Sequence, residues 1–252
     1  MINVIHTYSL LHTHHHHHDS IGWFKFGGVE FFKIQFATNL GDQKAWDNKT
    51  AIYLASSAFA EFIADIFLCP LEATRIRLVS QPTFATGLIS GAAKLAKTEG
   101  ILKGFYSGFG PILLKQIPYT MAKFAVQGEA AEVIASNVYG KALSDLKGSS
   151  KLIVALGSGV IAGVCAAVIS HPADTLLSKV NKAGAGGEGS IITRLGRIAN
   201  EIGFYKLCTA GLGARCVMIG TLTAGQFLLF DIVMDITGAQ KFHFHNPADA
   251  HH

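Results

Sequence analysis

The residues of this chain with the most chemistry in them lie where charge is least expected. The stretch YLASSAFAEFIADIFLCPLEATRIR, residues 53–77, sets Glu61, Asp65 and Glu72 into a run of apolar side chains and follows them with Arg75 and Arg77. At about 100° per residue, Asp65 stands about 40° round a helix from Glu61 and Glu72 about 20°, with Arg75 about 40° to the other side. Pro70 inside the run predicts a kink, not an end. One stripe then gathers three carboxylates and a guanidinium on a greasy rod. Ionisable groups at membrane depth are expensive, so they face a protein interior or a water-filled path. A carboxyl in low dielectric favours its neutral form, which suits Glu61, with Asp65 one turn further, to carry a proton.

The elements that must position these groups are helices in a bilayer. Of the 252 residues 50% are hydrophobic and only 15% charged, with a mean hydropathy of +0.35. Soluble domains carry about 25% charged residues, so the balance is that of a membrane protein. The net charge of +4 is spread without a basic patch, which argues against nucleic acid as a partner. Cys69, Cys165, Cys208 and Cys216 lie in or beside apolar stretches without paired spacing and read as packing residues, not metal ligands. No nucleophile elbow, phosphate loop or zinc-protease motif appears, so neither an enzyme nor a cofactor is expected. Residues 1–20 form a His-rich leader of low complexity, without signal-peptide features, and are expected to be disordered.

Along the chain, residues 21–40 read as an amphipathic helix and 50–79 as the long kinked helix. Residues 86–98 form a short interfacial helix, and 109–135 a span with Lys115, Gln116, Tyr119 and Lys123 as its polar members. A second long helix, 151–181, is broken by Pro172. A glycine-rich linker (184–189), a second short amphipathic helix (190–201) and a last span (211–237) follow. Gly159 and Gly163 have the spacing that lets backbones approach closely in lipid, as do Ser56, Ala60 and Ala64. Pro70 and Pro172 lie 102 residues apart, so the order of elements repeats with a period of about 100 residues, as in transporter folds with kinked helices round a midplane site.

The segment PLEATRIR, residues 70–77, fits the pattern proline-x-acid-x-x-base-x-base. The later PADTLLSK, residues 172–179, keeps the proline, acid and last base, with Leu177 at the first base. This is the repeat mark of the mitochondrial carrier family, which the chain resembles. Five strings resemble the family's phosphate-carrying branch: KFGGVEFFK, AEFIADIFLCPLEATRIR, KQIPYTMAKF, SHPADTLLSKVNK and GLGARCVMIGTLTAGQF. The likeness covers residues 22–235. It implies an all-α membrane fold, three repeats making a six-helix bundle round a cavity, here lacking the first transmembrane helix. Five spans and two short matrix surface helices remain. Residues 21–48 would be the second helix of repeat 1, 49–147 repeat 2, 148–238 repeat 3 and 239–252 a tail, the whole being an N-terminally truncated carrier.

The resemblance also implies a function, symport of inorganic phosphate with a proton (or exchange for hydroxide) across the mitochondrial inner membrane by a monomer that holds cardiolipin. Phosphate needs cations or donors in the membrane, and an arginine fork binds its oxygens two at a time. Lys115, Gln116 and Arg215 are the candidates for it, and Glu61 and Asp65 those for the proton. Glu72 and Asp174 look like the acids of the matrix gate, each paired with a base of a neighbouring repeat, Arg75 and Lys179 being at hand. At the cytoplasmic gate Glu30 and Lys33 keep the family's charges. Asp231 keeps the acid while Met234 replaces its base, and Gln127-Gly128 replace an aromatic and an acid, so a weak gate is expected. Two other readings stand beside this one: a carrier of the same subfamily for another solute, such as copper complexes, and a non-transporting fragment.

Overall fold

The structure, a computed structural model, describes residues 25–81, 83–106, 108–180, 191–239 and 241–244, with backbone alone at 80, 111, 177–180 and some positions within 191–204. The leader, the glycine-rich linker and most of the tail lie outside these residues. Regular structure among the described residues is helical: α1 (25–40), α2 (Asp42–Asp47), α3 (Lys49–Ser80), α4 (Leu88–Glu99), α5 (Ile101–Tyr106), α6 (Phe109–Tyr139), α7 (Ser149–Val180), α8 (Ile191–Ile202), α9 (Phe204–Thr209) and α10 (Leu212–Thr237). The order long helix, 12-residue helix, six-residue helix, long helix occurs twice, as α3 to α6 and as α7 to α10. The six-residue helices α2, α5 and α9 were not expected; one and a half turns are too few to show a period.

Among the described residues three stretches are long and apolar enough to cross a membrane: Lys49–Val79, Ser149–Leu176 and Tyr205–Thr237. Helix α6 has the length, 31 residues, but Lys115, Gln116, Lys123, Gln127, Glu129 and Glu132 dilute its apolar character. The five expected spans are thus three by length and composition, with α6 long enough by length alone.

Both prolines of the repeat sit inside helices, Pro70 in α3 and Pro172 in α7. Pro70 has no N–H for the carbonyl of Ile66. The Tyr106 hydroxyl donates to that carbonyl at 3.0 Å, so the break is satisfied from the next element. Small residues set the helix spacing. A Cβ on Gly159 would lie 2.7 Å from the Ala224 Cα, and one on Gly163 2.7 Å from the Gly220 Cα. Helices α7 and α10 therefore meet backbone to backbone, and no side chain fits between them. On α3, Ser56, Ala60 and Ala64 are all buried, and Gly28 of α1 packs on Ala60.

These contacts leave two ends. One carries Pro70 and Pro172. At the other, the chain after α10 folds back, and Phe244 joins Ala37, Ala45, Ile52, Tyr53 and Ala125 in a buried cluster.

Candidate functional site

At the proline end, three helices bring charge to one point. Asp174 of α7 faces Lys115 of α6, Nζ to Oδ1 at 3.2 Å, and its Oδ2 pairs with Arg215 of α10. Arg215 also donates to the Ser170 hydroxyl at 3.0 Å, one turn before Asp174. Its Nε–H is buried and bonded to no other described residue. Lys115 keeps 44% of its side chain exposed, against 11% for Asp174. Gln116 is half-buried beside Lys115 and does not bond to Asp174.

Of the two expected pairs across repeats, that of Asp174 forms among the described residues, with Lys115 of α6, and that of Glu72 does not. Glu72 pairs with Arg75 on its own helix, at 3.6 Å and largely exposed, not with a neighbouring repeat. Arg77 instead reaches Glu99 at the end of α4. Asp174 takes the two cations read from the sequence as anion ligands. The cause is local. Glu72 has a base three residues on, within reach on a helix, whereas the same step from Asp174 lands on Leu177. The side chain of Lys179 lies outside what the structure describes.

In the middle of the bundle, Glu61 is fully buried but not alone. Lys25 of α1 donates to its Oε1 at 2.5 Å, and the Thr120 hydroxyl of α6 to its Oε2 at 2.8 Å. Glu61, read from the sequence as a buried carboxyl suited to carry a proton, is thus paired with a lysine. Asp65 is equally buried, and neither of its oxygens has a hydrogen-bond partner among the described residues. Eight residues beyond Lys115, about 12 Å along α6, Lys123 is buried against three rings. Its ammonium is 4.9 Å from the centroid of Phe26 and 5.5 Å from those of Phe124 and Phe227, and it donates to Gln226 Oε1 at 2.6 Å. Phe26, Phe124, Phe227 and Phe230 pack edge to face or tilted on one another, so a hydrocarbon layer crosses the bundle here.

At the tail end, Glu30 and Lys33 pair with each other at 2.7 Å, and Lys33 lies over the Tyr53 ring. Asp231 is buried, and the base that Met234 does not supply comes from outside the pattern: Lys241, after α10, pairs with Asp231 over the Phe230 ring. The Phe242 N–H donates to Glu30 at 3.1 Å. Gln127 contributes a hydrogen bond to Ser158 at 3.4 Å, and Gly128 is the flat place on which Tyr53 lies. The residues after α10 therefore add contacts to this charged cluster that its own helices do not supply. Burial lowers the pKa of Lys241 below the ordinary lysine value, with Asp231 pulling it back up. Burial, with Lys33 and Lys241 close by, brings that of His243 down to about 4.

Lys25, Thr120, Lys123, Ser170 and Lys241 were not singled out as site residues by the sequence. Lys25 and Lys123 had a signal, a lysine inside an apolar helical pattern. Lys241 had none, because it belongs to no periodic segment.

Comparison with known proteins fits these elements into a family. A family profile described as "Mitochondrial carrier protein" matches residues 47–137 and 148–241. "Mitochondrial substrate carrier family protein N" of Dictyostelium discoideum is 48% identical over 223 residues, 86% of this chain and 72% of that protein. "Solute carrier family 25 member 3" of Homo sapiens is 42% identical over 212 residues, 84% of this chain and 56% of that protein. "Phosphate carrier protein, mitochondrial" of Caenorhabditis elegans is 42% identical over 209 residues, and the chain spans 59% of its length. With the profile matched twice across most of the chain, and each match starting with one of the two proline-containing long helices α3 and α7, the chain belongs to the mitochondrial carrier family, as a multi-pass protein of the mitochondrial inner membrane.

Proposed function

We propose that the chain carries inorganic phosphate together with a proton, and that residues 49–147 and 148–238 act as two of the repeats that do so. The observation that carries this reading is the meeting of Lys115 and Arg215, from different long helices, on a single oxyanion. Two cations converging on two carboxylate oxygens, with Arg215 also donating to the Ser170 hydroxyl, make a site of the right charge and shape for phosphate. The relative from Caenorhabditis elegans is named for the same solute. The aromatic layer and the tail close one end, while Lys115 is half-open at the other, the one-sided access that an alternating-access carrier needs in either of its states.

The proton belongs on Asp65. Glu61 has an ammonium and a hydroxyl to hold its charge, whereas Asp65 has given up water and received no donor. A proton is the partner it lacks. In this reading Glu61 and Lys25 hold α1 and α3 together, and Asp65 picks up and releases the proton as water reaches it. Uptake of labelled phosphate into proteoliposomes tests both parts. The wild-type chain should accumulate phosphate when a pH gradient, acid outside, is imposed. Asp65→Asn should keep phosphate/phosphate exchange and lose accumulation driven by the gradient. Unchanged accumulation in that variant would remove Asp65 from the mechanism, and absence of any phosphate flux in the wild type would remove the reading itself.

A further inference from the structure

We infer that Asp174 is a resident counter-ion: its carboxylate occupies the anion position between Lys115 and Arg215, and an incoming oxyanion must displace it. The inference rests on the phosphate reading above and adds a residue that sets the affinity and selectivity of the same site. Asp174 does not merely lie near the two cations. It bridges them, Oδ1 to Lys115 and Oδ2 to Arg215, as two oxygens of a bound phosphate would. It comes from α7, the helix packed against both α6 and α10, so it reaches a point where those two helices converge.

Three further observations separate a counter-ion from plain helix-to-helix glue. Arg215 keeps a buried Nε–H with no partner among the described residues, although a carboxylate is already on the guanidinium. Two oxygens leave that donor unused; a tetrahedral anion with four can reach it. Ser170 stays hydrogen-bonded to Arg215 at 3.0 Å, so the guanidinium keeps a neutral anchor when Asp174 leaves. Asp174 also lacks a base of its own at the next turn, unlike Glu72, whose Arg75 is 3.6 Å away. The consequence is selectivity. An empty site never presents two bare cations to chloride, and only an anion able to bridge both competes with a carboxylate that is already tethered in place.

If the carboxylate fills the site most of the time, the apparent affinity for phosphate falls by the fraction of time it is vacant, and removing the charge restores it. Titration calorimetry on the purified full chain, with phosphate, sulfate and chloride in turn, reads this directly. Asp174→Asn should bind phosphate about tenfold more tightly than wild type and should also gain affinity for chloride. A folded variant that binds phosphate no more tightly overturns the inference. A second measurement uses the unaltered chain. A carbodiimide should join Lys115 to Asp174 through an amide, mapped by mass spectrometry, and saturating phosphate should suppress that crosslink. A crosslink untouched by phosphate and by sulfate overturns the inference even where the variant does not fold. Suppression by sulfate but not by phosphate keeps the counter-ion and removes the phosphate reading, so the two fail separately.

Discussion

The two ends of the bundle use the same chemistry in opposite ways. At the proline end the acid Asp174 holds two cations, one of them 44% exposed, with an unused donor beside it. At the tail end the acid Asp231 holds a lysine with 13% of its side chain exposed, set over a phenylalanine ring, with the tail's backbone tied down on Glu30. In the proposed reading the first cluster exchanges its anion with solvent. The second is sealed. A salt bridge therefore says little by itself; what surrounds the pair, and whether another ion can reach it, decides between a binding site and a bolt.

The contrast is tested most strongly by removing one cation from each end. Lys241→Met strands the buried Asp231 carboxylate and should cost about 3–5 kcal/mol, read as a lowered melting temperature in detergent. Replacing both partners, Lys241→Met with Asp231→Leu, should recover most of that loss, because an apolar pair of similar size does without the desolvation of two charges. Arg215→Met should lose less stability, since Lys115 still holds Asp174. A larger loss for Arg215→Met than for Lys241→Met would invert the comparison.

Acid should loosen the sealed end first. The folded-state pKa of His243, about 4, is below its ordinary 6.5. The unfolded chain therefore takes the proton first as pH falls. The contribution of His243 is fully present above about pH 6.5 and is lost progressively down to about pH 4. Glu30 opposes the shift, and Lys33, Lys241 and Lys151 reinforce it. Melting temperatures between pH 7 and 4.5 should fall more steeply for the wild type than for His243→Gln, and equal slopes would show that the histidine is not held by the tail. The smallest effect is expected at the open end's surface. Arg75→Ala removes an exposed pair and should change stability by about 0.5 kcal/mol or less and leave phosphate uptake as it was.

Much of the architecture was legible because it is written in local patterns. Three of the apolar runs are long enough to span, Pro70 and Pro172 lie inside long helices, and Gly159 and Gly163 sit at the close approach of two helices that their spacing predicts. The candidate site was legible only as a list of members. The sequence pointed to Lys115, Arg215, Asp174, Glu61 and Asp65, but not to the pairing of Asp174 with Arg215 or of Glu61 with Lys25. Both omissions share one cause. Which charges meet across helices depends on the depth and rotation of each rod, and a shift of one residue turns a side chain through about 100°.

The sequence by itself determined that the chain is a bundle of lipid-compatible helices with ionisable groups turned inward, because burying backbone in a bilayer and hiding charge from it leave few other solutions. The tertiary structure alone decided the partners. Asp174 fell to Lys115 and Arg215 because α7 packs against both α6 and α10, Glu61 fell to Lys25 because Gly28 lets α1 lie against Ala60, and Asp231 fell to a lysine from beyond the last helix. Pairing at short range is a property of the packed bundle, and no single helix carries it.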